Sequence, residues 1–260
     1  MESELRRDLR ILKYLTLTDF KLKYNRNILG FFWSLLKPLL MLLTLYVVFH
    51  LVIKLDVPHY ELFLLLGIIL WGFFTEATSY SMSAMTRSTS LIKKAIFKKS
   101  LLVVSINLSS LITLLLNLII FSIFLFASGV GFTWLALLFL LLVAELFTFT
   151  LGVSFILSSL YVKFRDLSHI WDVLTQIGFW ITPIIYPISL IPREYHNLYI
   201  LNPLTRIIED SRNMLIMQAL PALDFSYAKH VYITLFICLG ALILGLWLFD
   251  KRSGKFAEQV

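Results

Sequence analysis

The 260 residues are 59% hydrophobic and only 15% charged, with a mean hydropathy of +0.84; soluble domains sit nearer about 45–50% apolar. The net charge of +7 would suit nucleic acid in a soluble protein, but the basic residues here flank apolar blocks, where they set membrane topology instead. A single cysteine, Cys238, excludes an intrachain disulfide and argues against a cysteine-ligated metal.

The chain begins with a basic, amphipathic stretch at residues 4–24. On a helix, Leu5, Leu9, Ile11, Leu12, Leu15, Phe20 and Leu22 gather on one side, with Arg6, Arg7, Arg10, Lys13 and Lys21 opposite. That pattern predicts a helix lying in the membrane interface. The basic stretch and the block after it are both too long for a cleavable signal peptide.

Six apolar blocks follow, at about 29–53, 60–85, 101–127, 133–160, 168–190 and 229–249. Each suffices for the roughly 20 residues a membrane helix needs. They are too long for barrel strands, and helices satisfy their own backbone in lipid. The expected fold is all-α: a polytopic membrane protein of six transmembrane helices, with the N-terminal interfacial helix and an extracytoplasmic helical hairpin before the last span. Residues 1–28 form the cytoplasmic interfacial part, 29–250 the transmembrane domain and 251–260 a cytoplasmic tail.

Lys and Arg counts orient these spans. Seventeen precede span one, follow span six, or lie in the loops 86–100 and 161–167. Five lie on the other side, and Lys37 falls inside span one. The split puts both termini in the cytoplasm of a multi-pass inner-membrane protein.

Several segments are candidates for function. Lys37, near the cytoplasmic end of span one, either snorkels to headgroups or meets the diphosphate of a lipid-linked substrate. Glu76 and Glu145 fall within spans two and four, where carboxylates are costly; no further titratable groups line up with them as a proton relay. Trp33, Trp134, Trp171 and Trp247 fall near span ends, as interfacial anchors do, whereas Trp71 and Trp180 fall near mid-span. Phe179, Trp180 and Tyr186, and with less weight Trp71, have faces suited to stacking against sugar rings along a conduit; packing is the alternative role.

The loop TRSTSLIKKAIFKKS at 86–100 predicts a short amphipathic helix, with Ser88 or Ser90 as cap. Its residues Leu91, Ile92, Lys93, Lys94, Ala95, Ile96 and Phe97 suit docking in a groove on a soluble partner. A basic loop that only fixes topology is the alternative.

In FWITPIIYPISLIP, Pro183, Pro187 and Pro192 break helix, so span five is expected to bend or re-enter near its outer end. Within the long 191–228 segment, LTRIIEDSRNMLIMQ is helical and amphipathic. Arg206 can pair there with Glu209 and Asp210, and Glu209 with Arg212. That helix is either a salt-bridged surface element or the rim of a pathway's exit.

The sequence holds no GxxxxGK[ST], HExxH or GxSxG motif, and its five histidines are scattered without metal-ligand spacing. No cofactor is expected in this chain, and it is not read as an enzyme.

LGFFWSLLKPLL at 29–40, LIKKAIFKK at 91–99, YVKFRDLSHIW at 161–171, TPIIYP at 182–187 and LNPLTRIIEDSR at 201–212 occur in that order. Together they resemble the type-2 ABC exporter permeases of bacterial surface polysaccharides such as O-antigen, capsule and teichoic acid, over nearly the whole length. The resemblance implies a homodimer with two copies of a cytoplasmic ATPase subunit, which binds the ATP and Mg. It implies that 86–100 holds the helix coupling to them, and that spans one and five line the path of a lipid-linked polysaccharide. Where many relatives have proline after the coupling phenylalanine, Phe97 is followed by Lys98. A drug or small-lipid exporter of the same superfamily, a membrane-embedded glycosyl or phospho transferase, and a gated channel are the rival readings. An ATPase encoded next to this chain would separate the exporters from the rest.

Overall fold

A computed structural model describes residues 2–24, 30, 32–89, 98–219 and 225–254. The described residues are helical, with no strands among them. In chain order they form α1 (Glu2–Tyr24), α2 (Phe32–Tyr46), α3 (Tyr60–Met82), α4 (Ala84–Arg87), α5 (Ser100–Ala127), α6 (Leu135–Tyr161), α7 (Leu167–Ile181), α8 (Arg193–Ile200), α9 (Pro203–Leu215) and α10 (Phe225–Ser253).

The apolar blocks become five helices long and apolar enough to cross a membrane: Phe32–Val52, Tyr60–Met82, Ser100–Ala127, Leu135–Tyr161 and Lys229–Ser253. The first is α2 continued by a π-helical turn, Val47–Val52. That wider turn places His50 in a stack between Tyr46 and Tyr60, with ring centroids at 4.7 and 5.8 Å. Helix α3 is apolar all round from Leu62 to Phe74 and buries 17 of its 23 residues, as a helix at the centre of a bundle does. It is surrounded by α2, α5, α6, α7 and α9.

Block five departs from the expected span at 168–190. Helix α7 has only 15 residues, about 22 Å at a rise of 1.5 Å each, against a hydrocarbon core of about 30 Å. Pro183 forces the break: the residue before a proline is driven out of helix, and Thr182 is extended at φ −69, ψ 134. The bend expected from the prolines is there, and residues 182–187 after α7 are not helical. α7 runs antiparallel to α3, with Trp171 bonded to Thr78, Gly178 against Trp71, and Ile184 against Gly67 near the start of α3.

Helix α1 and the end of α10 lie at one end of the bundle, the basic one. The Lys99 Nζ donates to Ser253 O at 2.6 Å, Arg252 reaches Ser159 O at 3.4 Å, and Ser105 Oγ ties α1 to α5 by donating to Asp19 Oδ2 at 2.8 Å. At the opposite end, Gln218 Nε2 donates to Gly131 O at 2.5 Å, and Ser128 to Glu61 at 3.3 Å. Part of the expected apolar stripe of α1 is exposed, Leu5, Leu9 and Leu22 each by more than half. An interfacial helix needs such a face for lipid.

Inside the bundle, a polar knot joins three spans. Asn107 Nδ2 donates to Ser81 Oγ and Val103 O, both at 2.9 Å, and Ser154 Oγ donates to Asn107 Oδ1 at 3.3 Å. The tightest helix crossing is α6 on α10. A Cβ on Gly152 would sit 2.5 Å from Leu242 N and 2.6 Å from Ala241 C, so two backbones meet there with no side chain between them. Gly152→Val is expected to destabilise by at least about 1–3 kcal/mol, the cost of overpacking; unchanged melting in detergent would show that α6 and α10 can separate freely.

Candidate functional site

Two helices present exposed faces that carry polar groups through the apolar region. On α7 no residue is buried. His169, Asp172, Gln176 and Trp180 follow one another at steps of three and four, so they share a face, and all four are exposed. On α2 the buried side is Leu42 and Leu45, while Trp33, Lys37, Met41 and Thr44 form the exposed side. Hydrocarbon does not accept Asp172, Gln176 or Lys37 without cost. These faces therefore meet headgroups, a wet path or another protein surface.

A cavity of about 640 Å³ opens between α2, α3, α5 and α7. Lys37, Glu76, Trp71, Phe179 and Asn117 all contribute to its wall. Of the proposed conduit aromatics, Trp71 is only 8% exposed; a Cβ on Gly178 would lie 2.8 Å from its Cη2. Phe179 sits edge-on to both Trp71 and Trp180, at 6.3 and 5.7 Å. Trp180 is 54% exposed and lies in the last turn of α7, two residues after Gly178, which packs on Trp71 at the middle of α3. The Tyr186 hydroxyl donates to Trp180 O and Ile181 O, at 3.0 and 2.9 Å, closing off carbonyls that the broken helix leaves behind. Among the anchor tryptophans, Trp171 also has an internal task, its Nε1 donating to Thr78 Oγ1 at 3.2 Å.

Of the two readings of 204–218, α9 removes the salt-bridged surface element. Asn202 caps it, Oδ1 accepting from Leu204 N at 3.1 Å, with Pro203 in the first turn. Eleven of its 13 residues are buried, against α6, α3 and α10. Two of the expected ion pairs form: Arg206 with Asp210 at 2.9 Å, and Arg212 with Glu209 at 2.8 Å. Arg206 also pairs with Glu145 of α6, so the intramembrane carboxylate is matched by a guanidinium from a distant segment. The Cys238 thiol points at the same carboxylate, 3.7 Å away. Arg212 extends from α9 across the break after α7, donating to Pro183 O, Ile184 O and Phe63 O at 2.7, 2.8 and 3.1 Å.

The second intramembrane carboxylate, Glu76, pairs with Lys23 of α1, a partner 53 positions away that nothing in the local sequence signals. Lys23 and Arg87 both lie over the Tyr80 ring, at 5.1 and 5.3 Å. Burial lifts the Asp19 carboxyl nearby above its ordinary value, against the Ser105 hydrogen bond and the Arg87 charge, which lower it.

The coupling residues Leu91–Phe97 lie outside the described residues. The chain re-emerges at Lys98, whose Nζ is 2.9 Å from Asp8 Oδ2 on α1. That hydrogen bond, with the carboxylate's charge, raises the Lys98 ammonium above its ordinary value. The segment's exit is thus held to both chain ends, through Asp8 and, by Lys99, Ser253.

Known proteins share this arrangement of sequence. The chain is 30% identical over 250 residues to the O-antigen export system permease protein RfbA of Klebsiella pneumoniae, covering 95% of this chain and 94% of that one. It is 28% identical over 248 residues to the protein of the same name from Myxococcus xanthus, with 93% and 92% covered. To the polysialic acid transport protein KpsM of Escherichia coli it is 23% identical over 251 residues, with 92% of each covered. Residues 10–216 match the ABC-2 type transporter family, from within α1 to the end of α9, and the chain belongs to that family.

Proposed function

We propose that this chain is the permease subunit of an ATP-driven exporter that moves a lipid-linked, O-antigen-like polysaccharide across the inner membrane. The observation that carries the reading is the exposed face of α7, with Asp172 and Gln176 on a helix that buries none of its own residues. Its membrane-level polar groups are explained if two copies of the chain face each other across a hydrated path. The relatives named for O-antigen export and polysialic acid transport, similar over more than nine-tenths of the chain, support a polysaccharide as cargo.

In this reading both termini are cytoplasmic, because the basic end carries them. The segment 86–100 docks on a separate ATPase subunit, two copies of which bind ATP and Mg. Nucleotide binding draws those subunits together and moves the coupling segments, and with them α1 and α10 through Lys98 and Lys99. The exposed Lys37, Thr44, Asp172 and Gln176 offer hydrogen bonds to sugar hydroxyls, and Trp180 an aromatic face on which a polymer can slide. Trp71, Phe179 and Tyr186 hold α7 in place behind that face.

The test is cross-linking between copies. In a Cys238→Ser background, Gln176→Cys is expected to give a dimer with a short bismaleimide in native membranes, and Phe236→Cys, exposed on α10 away from α2 and α7, is not. No product at 176, or as much at 236, would remove the facing-copies arrangement. Trp180→Ala is expected to lose surface polysaccharide while melting unchanged. Normal export in that variant returns Trp180 to a lipid-facing role.

A further inference from the structure

The outer end of α2 is built unlike the rest of the bundle. Its continuation, Val47–Val52, is π-helical, with Ile53 N bonded to Val48 O five positions back at 3.0 Å. Wide turns of this kind are rare and gather at functional sites. Among the described residues, Lys54 and His59 bracket the short connection to α3 with left-handed φ of 61° and 49°, and neither is glycine. Each such residue carries backbone strain.

The π turn directs His50 toward the start of α3. There four rings stack in sequence: Tyr46 on His50 at 4.7 Å, His50 on Tyr60 at 5.8 Å and Tyr60 on Phe63 at 6.0 Å, at interplanar angles of 29°, 24° and 20°. The Arg212 guanidinium lies over Phe63 at 3.3 Å, and Tyr60 Oη donates to Ile185 O at 2.8 Å. The stack therefore ties α2 to α9 and to the break after α7. Helices α2 and α7 carry the two exposed polar faces, and His50 is the rung between them.

His50 is also the weak rung. Its Nδ1 is buried and has no hydrogen-bond partner among the described residues. A buried polar atom without a partner destabilises the state that buries it. A phenylalanine would stack in the same place and bury nothing polar. Ring contacts thus hold the stack, while the orphan nitrogen and two left-handed residues oppose it. On the other side of the turn, Val47, Val48, Leu51 and Val52 are exposed, so no described residue blocks its movement away from α3.

We propose that the π turn of α2 is a latch at the outer end of the path, closed when His50 stacks between Tyr46 and Tyr60 and open when that stack parts. His50 is a positioning residue: it acts through the placement of α2, and its unpaired nitrogen keeps closure weak enough to reverse. The proposal rests on the export reading for what the latch closes.

The probe is Thr44→Cys in the Cys238→Ser background. Thr44 is exposed on α2, six positions before His50 and so about 9 Å inward of it. A membrane-impermeant maleimide is added to the outer side of spheroplasts, and the labelling rate follows the open fraction. His50→Ala is expected to raise that rate roughly fivefold, within the range that one lost aromatic pair is worth. His50→Phe is expected to lower it at least about threefold and to raise the melting point by about 2 °C or more, since stacking stays and an unsatisfied buried atom goes. The same His50→Phe permease is expected to put less polysaccharide on the cell surface than wild type, despite being more stable. A merely structural His50 predicts the reverse, with export following stability. A wild-type labelling rate in His50→Ala overturns the latch, as does a lower melting point or undiminished export in His50→Phe. Labelling and melting need neither ATP nor polysaccharide, so the latch and the cargo assignment fail separately.

Discussion

Replacing Arg212 with methionine is expected to destabilise the permease by about 3–5 kcal/mol, the range for a buried ion pair that loses one partner. The side chain is 1% exposed. Its guanidinium donates to Phe63 O, Pro183 O and Ile184 O, pairs with Glu209, and lies flat over the Phe63 ring at 3.3 Å. The carbonyls of 183 and 184 fall where Pro183 has ended α7, so no next turn of helix supplies their hydrogen bonds. Water cannot replace the donor at that depth, and unsatisfied backbone in an apolar setting costs several kcal/mol. At about 2–4 °C per kcal/mol for a chain of this size, melting in detergent should fall by on the order of 10 °C. Arg212→Lys keeps the charge but has no planar fork, so one ammonium must serve carbonyls on two segments at once. It is expected to recover less than half of the loss. Adding Glu209→Leu to Arg212→Met should recover part of the rest by removing the stranded carboxylate. A melting point within about 2 °C of wild type for Arg212→Met would mean that the break after α7 is held by Tyr60, whose hydroxyl donates to Ile185 O at 2.8 Å, and not by Arg212.

That interaction marks the limit of what the chain discloses in one dimension. The spans were legible because apolar run length is a local property, and α9 because its cap, proline and 3.6-residue period are local too. The two pairs within α9, Arg206–Asp210 and Arg212–Glu209, follow from helical spacing alone. The pairs that fix the bundle do not. Glu145 and Glu76 read as isolated carboxylates in apolar blocks, and their partners Arg206 and Lys23 come from elements 61 and 53 residues away. The depth of α9 was hidden for the same reason: a stretch with four charges in seven residues, Arg206 to Arg212 excepting its two isoleucines and one serine, reads as surface until the charges are seen to neutralise one another. Even block five was partly misleading. Its composition has the length to span and its prolines announced a bend, but the helix itself stops at 15 residues, well short of the block. The polar stripe of α7 was missed although His169, Asp172 and Gln176 keep helical spacing, because it is set in an extended apolar background.

The charge cluster around Arg206 should respond asymmetrically to mutation. Arg206, 3% exposed, holds Glu145 on one side and Asp210 on the other, so one formal positive charge stands between two negative ones. Removing it with Arg206→Met leaves two carboxylates, with side chains 9% and 5% exposed, facing each other in a low-dielectric interior. The cost should reach about 3–5 kcal/mol, since an uncompensated buried charge is the expensive product of breaking such a pair. Glu145→Gln, in contrast, leaves Arg206 balanced by Asp210 and keeps an acceptor in the same place. It should cost no more than about 1 kcal/mol, the net worth of an ordinary hydrogen bond. The double variant Arg206→Met with Glu145→Leu should be markedly more stable than Arg206→Met alone, because one of the stranded carboxylates is gone and apolar groups fill the space. Wild type, Arg206→Met and the double variant are three corners of a thermodynamic cycle, and Glu145→Leu is the fourth. A coupling energy near zero would show that the contact between α6 and α9 is held by apolar packing of Ile207 and Ile208. A large one, with Glu145→Gln still exporting polysaccharide, would assign Glu145 to anchoring α9 and leave transport to the faces of α2 and α7.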